Sequence, residues 1–384
     1  MSTIFPIGPF HLALKEAALL KLEVEGERIV GGDIKLGYMH RGIEELATKK
    51  SYHSNIFLAE RVCGICNTAH STCYAQTVEA LMGIDPPARA GYIRTIVFEA
   101  ERLQSHLLWF GVGMHEIGYD TAYMYMWMER EHALDMLEAI CGKRVNLGIN
   151  TLGGVRRDIT PDKMSFIRTK LDLLERAVRK TGKLIGEDRV VKARVKDVGV
   201  LTRDEAKRLC VVGPTARGSG VNIDTRRDDP YAAYPNVEFD VPVEEGGDVL
   251  SRTLVRLREL SQSIKIIRQA LNDMPGGPIA LEELPFPRVG EALGRVEAHR
   301  GELVYYIRSD GTNSPERVKI RTPSVVNNNS LIPMMLGETI ADAPIILASI
   351  DPCFSCTDRV TIVDVRKNKE KTMTLSDLRR GRPA

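Results

Sequence analysis

The chain has no apolar run approaching the roughly eighteen residues of a membrane span, so no membrane helix is expected within it. Its opening residues, MSTIFPIGPFHLALKEAALLKLEVEG, carry acidic side chains where a signal peptide would have none. The expectation is a cytoplasmic protein whose membrane attachment, if any, comes through partners. Charge of one sign is also missing: 53 Lys and Arg face 51 Asp and Glu, a net of +2. That balance supplies no concentrated basic stripe for nucleic acid or a bare membrane surface. Internal repeats and low-complexity linkers are absent. One intimately packed unit therefore fits better than two separable ones. Disorder is excluded by a composition that is 43% hydrophobic and 27% charged over 384 residues.

Cysteine is scarce and odd in number, seven in all, yet four of the seven form two CxxC pairs. In a reducing compartment such pairs are more often metal or redox sites than structural disulfides.

The remaining pattern divides the chain. Residues 19–39, LLKLEVEGERIVGGDIKLGYM, alternate around a charged turn as a hairpin would, and residues 1–45 are expected to be a β region. From about residue 50 the period becomes helical. Residues 94–110 and 121–140 are apolar on nearly all sides and belong in the middle of a bundle. Residues 162–188 and 249–274, charged on one face, should flank it. A helical bundle over 46–285 gives way to a C-terminal β region with a metal motif over 286–359, where GRVEAHRGELVYYIRSDG and RVKIRTPS read as a hairpin and APIILASI leads into DPCFSC. A basic tail, 360–384, closes the chain. The class expected is α+β, mainly α: a central helical bundle with flanking N- and C-terminal antiparallel β hairpins.

The strongest chemical signal is RVCGICNTAH (61–70) set against DPCFSCTDR (351–359). Two intervening residues let the sulfurs of Cys63 and Cys66, and of Cys353 and Cys356, turn toward one ion, with Gly64 relieving the first turn. A helix starting after Cys66, together with Arg61, would favour thiolate. Four thiolates select soft or borderline metals: zinc, iron–sulfur or nickel. A structural zinc site is the bland alternative. It is weakened because small zinc modules keep their pairs within a few tens of residues, whereas these stand at opposite ends of a chain able to fold without metal. Spacing alone leaves a tetrathiolate metal site and does not name the metal.

The flanking residues add a resemblance. RVCGICNTAH resembles the RxCGxCxxxH motif of nickel–iron hydrogenase large subunits, and DPCFSCTDR resembles their DPCxxCxxR/H motif. GPFH, GYMHRGIEEL, NTLGGVRRD, GPTARGSGVNIDTRRDDPYAAY and HRGELVYYIRSDG resemble the group shared by energy-converting, membrane-bound (group 4) hydrogenases and the 49 kDa subunit of complex I. The complex I subunit has the same fold but lacks the cysteine quartet; a sulfur-reducing branch departs from the full quartet.

The resemblance implies a catalytic subunit for reversible H2 oxidation and proton reduction. Cys66 and Cys356 would bridge nickel to an iron carrying CO and cyanide, while Cys63 and Cys353 would be terminal nickel ligands. In heterolytic cleavage the metals act as Lewis acids and the Cys353 thiolate takes the proton. Glu16 matches a proton-relaying glutamate, against the plain reading of a surface residue before a strand. Arg300 matches the arginine over the open metal face, with His299 where proline is usual. Thr322, Pro323 and Ser324 match the segment packed on a cyanide ligand; otherwise they are a strand end. His70 is expected to orient the cysteine loop by hydrogen bonding. Glu44 matches a carboxylate that binds magnesium in some relatives; with Arg359 at the motif's end a salt bridge is equally expected, and magnesium is not claimed. Cys73, Cys141 and Cys210 are expected to be buried and unreactive. Residues 213–229 read as a structural network or partner-facing loop, since they lack a phosphate-loop pattern.

The resemblance also implies partners: an iron–sulfur small subunit, because no cysteine pattern is left for a cluster in this chain; other complex I-like hydrophilic and membrane subunits; maturation proteins; and an endopeptidase cutting Arg359–Val360, unless the tail stays attached. The site would then lie on the cytoplasmic face of a membrane. A quinone- or sulfur-reducing subunit without nickel and a zinc-stapled scaffold remain the alternatives.

Overall fold

The computed structural model describes residues 2–11, 14, 16–357, 361–364 and 369–372. The Arg359–Val360 bond lies outside them. Three strands, β1 (Thr3–Ile7), β2 (Leu19–Glu25) and β3 (Arg28–Lys35), form an antiparallel sheet. The alternation in LLKLEVE puts Leu20, Leu22 and Val24 on the buried face.

Helices follow. The longer ones are α1 (Tyr52–Glu60), α2 (Asn67–Met82), α3 (Ala88–Glu116), α4 (Asp120–Cys141), α5 (Pro161–Glu187) and α6 (Val249–Asp273), with shorter helical turns between them. Helix α3 is the central rod, with an almost unbroken run of buried residues from Tyr92 to Gly111. It packs against α4 closely enough that a Cβ on Gly111 would meet Trp127 at 2.9 Å. Pro161 at the first helical turn and buried Ile167, Leu171, Leu174 and Val178 at three- and four-residue steps make α5 a flanking helix. Asp248 accepts from Ser251 N and starts α6. Helices α3 to α6 share one apolar core. The expectation for residues 121–140 needs correction. Helix α4 buries one face only and leaves Met124 and Met128 exposed, because nothing among the described residues covers its outer side.

The C-terminal part opens with an antiparallel sheet, β4 (Gly290–Ala298), β5 (Gly301–Ser309) and β6 (Arg317–Arg321), in the order β4-β5-β6. The segment after it is helical rather than β: α7 (Pro323–Asn327), α8 (Leu331–Met335) and α9 (Ala343–Ser349). Pro323 and Pro344 each occupy a helix start, where a missing N–H costs nothing. Residues 361–364 and 369–372 pair as a small antiparallel ribbon. No helix among the described residues is long and apolar enough to cross a membrane.

Candidate metal centre

The turn between α1 and α2 carries Cys63 and Cys66, and the segment after α9 carries Cys353 and Cys356. All four are buried in the core formed by α1, α2 and the β4-β5-β6 sheet. The sulfurs of Cys63, Cys66 and Cys356 lie within 4.8 Å of one another, and Cys353 Sγ lies 3.6 Å from Cys63 Sγ. The backbone N–H groups of Ile65 and Cys66 both donate to Cys63 Sγ at 3.4 Å.

A hydrogen bond from the Cys353 thiol, then those from Cys356 and Cys66, hold Cys63 well below the usual thiol value of 9, and Arg300 acts in the same direction. Cys353 moves the other way: Cys356 pulls it down, but donation to Cys63 and burial outweigh that and raise it. Burial likewise pushes Cys356 up. Thiolate character is thus favoured at Cys63 and opposed at Cys353 and Cys356, and a bound cation would favour it at all of them.

Two expectations about this charge are corrected. Arg61 turns its side chain to Phe57 O and Glu60, not to the sulfurs. The free N–H groups at the start of α2 are used as well: Thr68 N and Ala69 N donate to Glu101. The nearby cation is Arg300. Gly64 shows no need for glycine's freedom, since a Cβ there would meet nothing within 4 Å.

Arg300 sits in the turn between β4 and β5. Gly301 (φ 126) and Gly213 (φ 67) pack backbone on backbone there, a Cβ on Gly213 falling 2.4 Å from Arg300 O. Asn327 Nδ2 also donates to Arg300 O, at 3.2 Å. The guanidinium is buried rather than solvated. Nε donates to Asp351 O at 2.6 Å and Nη2 to Asp351 Oδ1 at 2.9 Å, while Nη1 has no hydrogen-bond partner among the described residues. Burial alone would lower its pKa, but Asp351 and the cysteine sulfurs outweigh this and keep it charged.

Glu16 stands at the edge of the sulfur cluster. Its Oε1 lies 3.7 Å from Cys353 Sγ, its Oε2 accepts Ser355 N at 2.8 Å, and the Ser355 hydroxyl donates to Oε1. Ser355 Oγ is also 3.2 Å from Cys353 Sγ. A cavity of about 420 Å³, with Trp109, Val112 and Phe354 among its apolar walls, brings Glu16, Arg300 and Cys353 to one surface.

Thr322, Pro323 and Ser324 begin a helix instead of ending a strand. Thr322 Oγ1 donates to Cys356 O at 3.1 Å and Ser324 Oγ accepts Cys353 N at 3.0 Å, so they hold the second cysteine loop. His70 differs from expectation. Its Nδ1 bonds Tyr305 OH at 2.8 Å, so its hydrogen bond runs to the sheet and not to the cysteine loop. Burial lowers it to about 4 and keeps it neutral. Glu44 accepts from Lys319 Nζ and Ile320 N, both at 3.0 Å, and so is tied to β6. Cys73 and Cys141 are buried, Cys141 pushed up to about 12 by burial. Cys210 is exposed, contrary to expectation, because it follows a short surface helix at a positive φ of 54°. In residues 213–229, Arg217, Asp224 and Arg226 belong to a buried ion network.

Sequence reasoning missed Arg41 and Ser355. Arg41 donates to Arg61 O, Val62 O and Ser355 O at 2.7–2.9 Å, clamping both cysteine loops together. The GYMHRGIEEL likeness was the available signal for Arg41; Ser355 fell in a variable position of its motif and gave none.

The donor chemistry fits a soft or borderline metal: four buried sulfurs from two loops, with the buried Arg300 cation, one of its nitrogens without a hydrogen-bond partner among the described residues, close by.

Comparison with known proteins places the chain among relatives. Residues 116–288 and 282–359 match the family described as respiratory-chain NADH dehydrogenase, 49 Kd subunit. Residues 41–119 match the nickel-dependent hydrogenase family. The chain is 41% identical over 361 residues to the carbon monoxide-induced hydrogenase of Rhodospirillum rubrum, covering 94% of this chain and 100% of that one. It is 40% identical to the membrane-bound hydrogenase subunit alpha of Pyrococcus furiosus, over 97% of this chain and 91% of the relative. Among solved structures, a chain of the membrane-bound sulfane sulfur reductase, an archaeal respiratory membrane complex, superposes with a TM-score of 0.88 at 34% identity, covering 93% of this chain and 98% of that one.

Proposed function

The chain belongs to the family that joins the large subunits of complex I-like, membrane-bound nickel–iron hydrogenases to the 49 kDa subunit of respiratory-chain NADH dehydrogenase, and on that premise we propose that it is the catalytic subunit of an energy-converting hydrogenase. The reaction is the interconversion of H2 with two protons and two electrons. The observation that carries this reading is the convergence of Cys63, Cys66, Cys353 and Cys356, with Glu16 beside Cys353 and Arg300 lining the same cavity.

Cys63, Cys66, Cys353 and Cys356 would together hold the nickel and its Fe(CN)2CO partner, the ligand set the family resemblance implies. Such a centre supplies Lewis-acid and redox capacity for heterolytic cleavage of H2. Cys353 Sγ holds the released proton. Glu16 receives it across the 3.7 Å gap or through the Ser355 hydroxyl, which touches both groups. Arg300 is fixed by Asp351 and keeps one N–H free to face the substrate position or a cyanide nitrogen. Thr322 and Ser324 hold the Cys353–Cys356 loop so that its sulfurs need not reorganise.

Electrons leave to a separate iron–sulfur small subunit, since Cys73, Cys141 and Cys210 are not grouped with each other in sequence or with the quartet. The relatives described as membrane-bound support attachment to a multisubunit membrane complex; the reading takes its other members to be complex I-like hydrophilic and membrane subunits, with this chain at the cytoplasmic face and turnover coupled to ion translocation. Maturation proteins would build the iron unit. A second reading, a sulfur- or quinone-reducing subunit without nickel, draws on the likeness to the sulfane sulfur reductase and on the apolar cavity at Cys353.

The test is metal content and infrared spectroscopy of the purified complex. Nickel and iron near one per chain with CO and cyanide stretching bands, together with H2 evolution from reduced viologen, are expected. Absence of nickel moves the assignment to the second reading, and stoichiometric zinc without H2 turnover moves it to a structural scaffold.

A further inference from the structure

Helix α2 begins without a cap of its own. Its N-cap residue is Cys66, whose side chain belongs to the sulfur cluster and accepts no bond from the first turn. A helix start normally leaves several N–H groups to be satisfied by such a side chain. Here the acceptor comes from another helix. Glu101, fully buried on α3, receives Thr68 N at 2.9 and 3.1 Å and Ala69 N at 3.4 Å.

The amides around the first cysteine pair are therefore divided between two acceptors. Those of Ile65 and Cys66 point at Cys63 Sγ, and those of Thr68 and Ala69 point at Glu101. A buried carboxyl group is costly unless its interactions compensate. No arginine or lysine forms an ion pair with Glu101 among the described residues; its ion contact is His299 Nε2 at 3.6 Å. Both His299 ring nitrogens lack a hydrogen-bond partner there, and burial, then Arg102, keeps that ring well below its ordinary value of 6.5 and so neutral. For Glu101 itself burial is the largest influence and raises it well above 4.5. The backbone hydrogen bonds that this buried carboxyl group accepts all come from one helical turn.

We propose that Glu101 is a positioning residue of the metal centre: by taking over the cap that Cys66 gives up, it sets the angle at which the Cys63–Cys66 turn presents its sulfurs. Without it the amides of Thr68 and Ala69 lose their acceptor and the first turn of α2 loses its anchor to α3. The turn then rotates, and the ligands no longer meet the metal in one geometry.

This inference rests on the proposed metal site but not on nickel–iron chemistry, and the experiment separates the two. The metal-free full-length chain is titrated with Co2+ alone, and the sulfur-to-cobalt charge-transfer and d–d bands report thiolate ligation directly. Wild type is expected to give a tetrathiolate spectrum. Glu101→Gln, whose amide oxygen still accepts, is expected to bind within about threefold of wild type with the same spectrum. Glu101→Ala is expected to bind about 10–100-fold more weakly, the usual loss when a group behind a ligand is removed, with an altered d–d envelope and unchanged circular dichroism. If Glu101→Ala does not fold, Glu101→Met, which fills the volume without an acceptor, carries the same comparison. Wild-type affinity and spectrum in the Ala or Met variant, failure of Gln to rescue, or no cobalt binding by the wild-type chain overturns the proposal. Absence of nickel from the native complex overturns the hydrogenase reading instead and leaves the cobalt result standing.

Discussion

Cys63 Sγ lies 3.6 Å from Cys353 Sγ although 290 positions separate them. Arg41, Thr322, Ser324 and Glu16, each bonded to one or both loops, tie the two cysteine segments in place through the protein's own side chains. The core of helices α3 to α6 does not depend on the cluster. The metal-free chain is therefore expected to stay folded, unlike a small zinc module. Circular dichroism should keep its helical signal after chelation, while hydrogen exchange rises only around residues 61–70 and 350–357. Global loss of helicity would show that the metal builds the fold. Cys353→Ala should abolish nickel loading and leave the melting transition of the metal-free chain within a few degrees of wild type.

Glu16 touches Cys353 Sγ and both donors of Ser355. Glu16→Gln keeps an acceptor for Ser355 N but cannot carry a proton. H2 evolution should fall about 10²-fold or more, the scale of a lost proton-transfer group, with nickel and iron content unchanged. A variant that turns over at the wild-type rate would remove Glu16 from the proton route. One that loses its metal would make it structural.

Arg217 is fully buried and donates to Glu259, Glu297 and Ile223 O. Arg226 joins Asp224 to Glu99, and Arg102 contacts Glu99 as well. Removing one member of such a set leaves charge buried and uncompensated, at about 3–5 kcal/mol. Arg217→Met should lower the unfolding free energy by that amount in denaturant titration. A change under about 1 kcal/mol would mean that water reaches the network.

The same network fixes the direction of the pH response. Burial is the largest influence on His106 and draws it below its ordinary 6.5, against the pull of Glu259. The unfolded chain then binds a proton that the folded chain refuses, so stability falls as pH drops below about 6.5. For Glu259 burial would raise the pKa, but Arg217 and the His106 bond outweigh it and hold the carboxyl well below 4.5. Glu99 and Asp224 shift the same way, their arginines outweighing burial. Their contribution is full above the ordinary carboxyl range and is lost as pH falls through the folded values. Glu297, raised by burial and by Asp224, offsets part of this. His70 and His299, also drawn down by burial, add to the His106 effect, and Glu101, raised by burial, opposes it, so unfolding free energy measured from pH 8 to 4 should decline below 6.5 and steepen below 4.5. His106→Asn should flatten the upper part by up to one proton, about 1.4 kcal/mol per pH unit. A flat wild-type profile down to pH 4 would sink the argument.

The metal ligands were legible because their spacing is local: each CxxC pair announces itself within four residues. The central helices were legible for the same reason, since a 3.6-residue period needs no partner to be seen. What escaped depends on contacts between distant segments. Glu101 looks like any charged residue on α3, and only the arrival of α2 makes it a cap. Arg217, Arg226, Arg252 and Arg256 would be assigned to solvent by type, yet all four are buried. His70 sits one turn beyond Cys66, but its partner Tyr305 is on another element altogether. Helices α7 to α9 are too short to show a period, so residues 323–349 carry no helical signal of their own beside the strands that precede them.

Cys210 separates reactivity from composition. Three cysteines lie outside the quartet, and type alone gave them one fate. Cys73 donates to Gly294 O and Leu303 O inside the core, and burial raises its thiol far above 9. Cys141 is closed in at the end of α4. Cys210 follows the surface helix Arg203–Arg208 and is open to solvent. Thiolate chemistry needs access as much as acidity. Iodoacetamide applied to the native, metal-loaded chain should therefore modify Cys210 ahead of every other cysteine, and peptide mapping should find Cys73 and Cys141 unmodified until denaturant is added. Labelling of Cys73 at a comparable rate would mean that the packing of β4 and β5 on α2 opens readily. The metal loops resting on the same core would then share that motion.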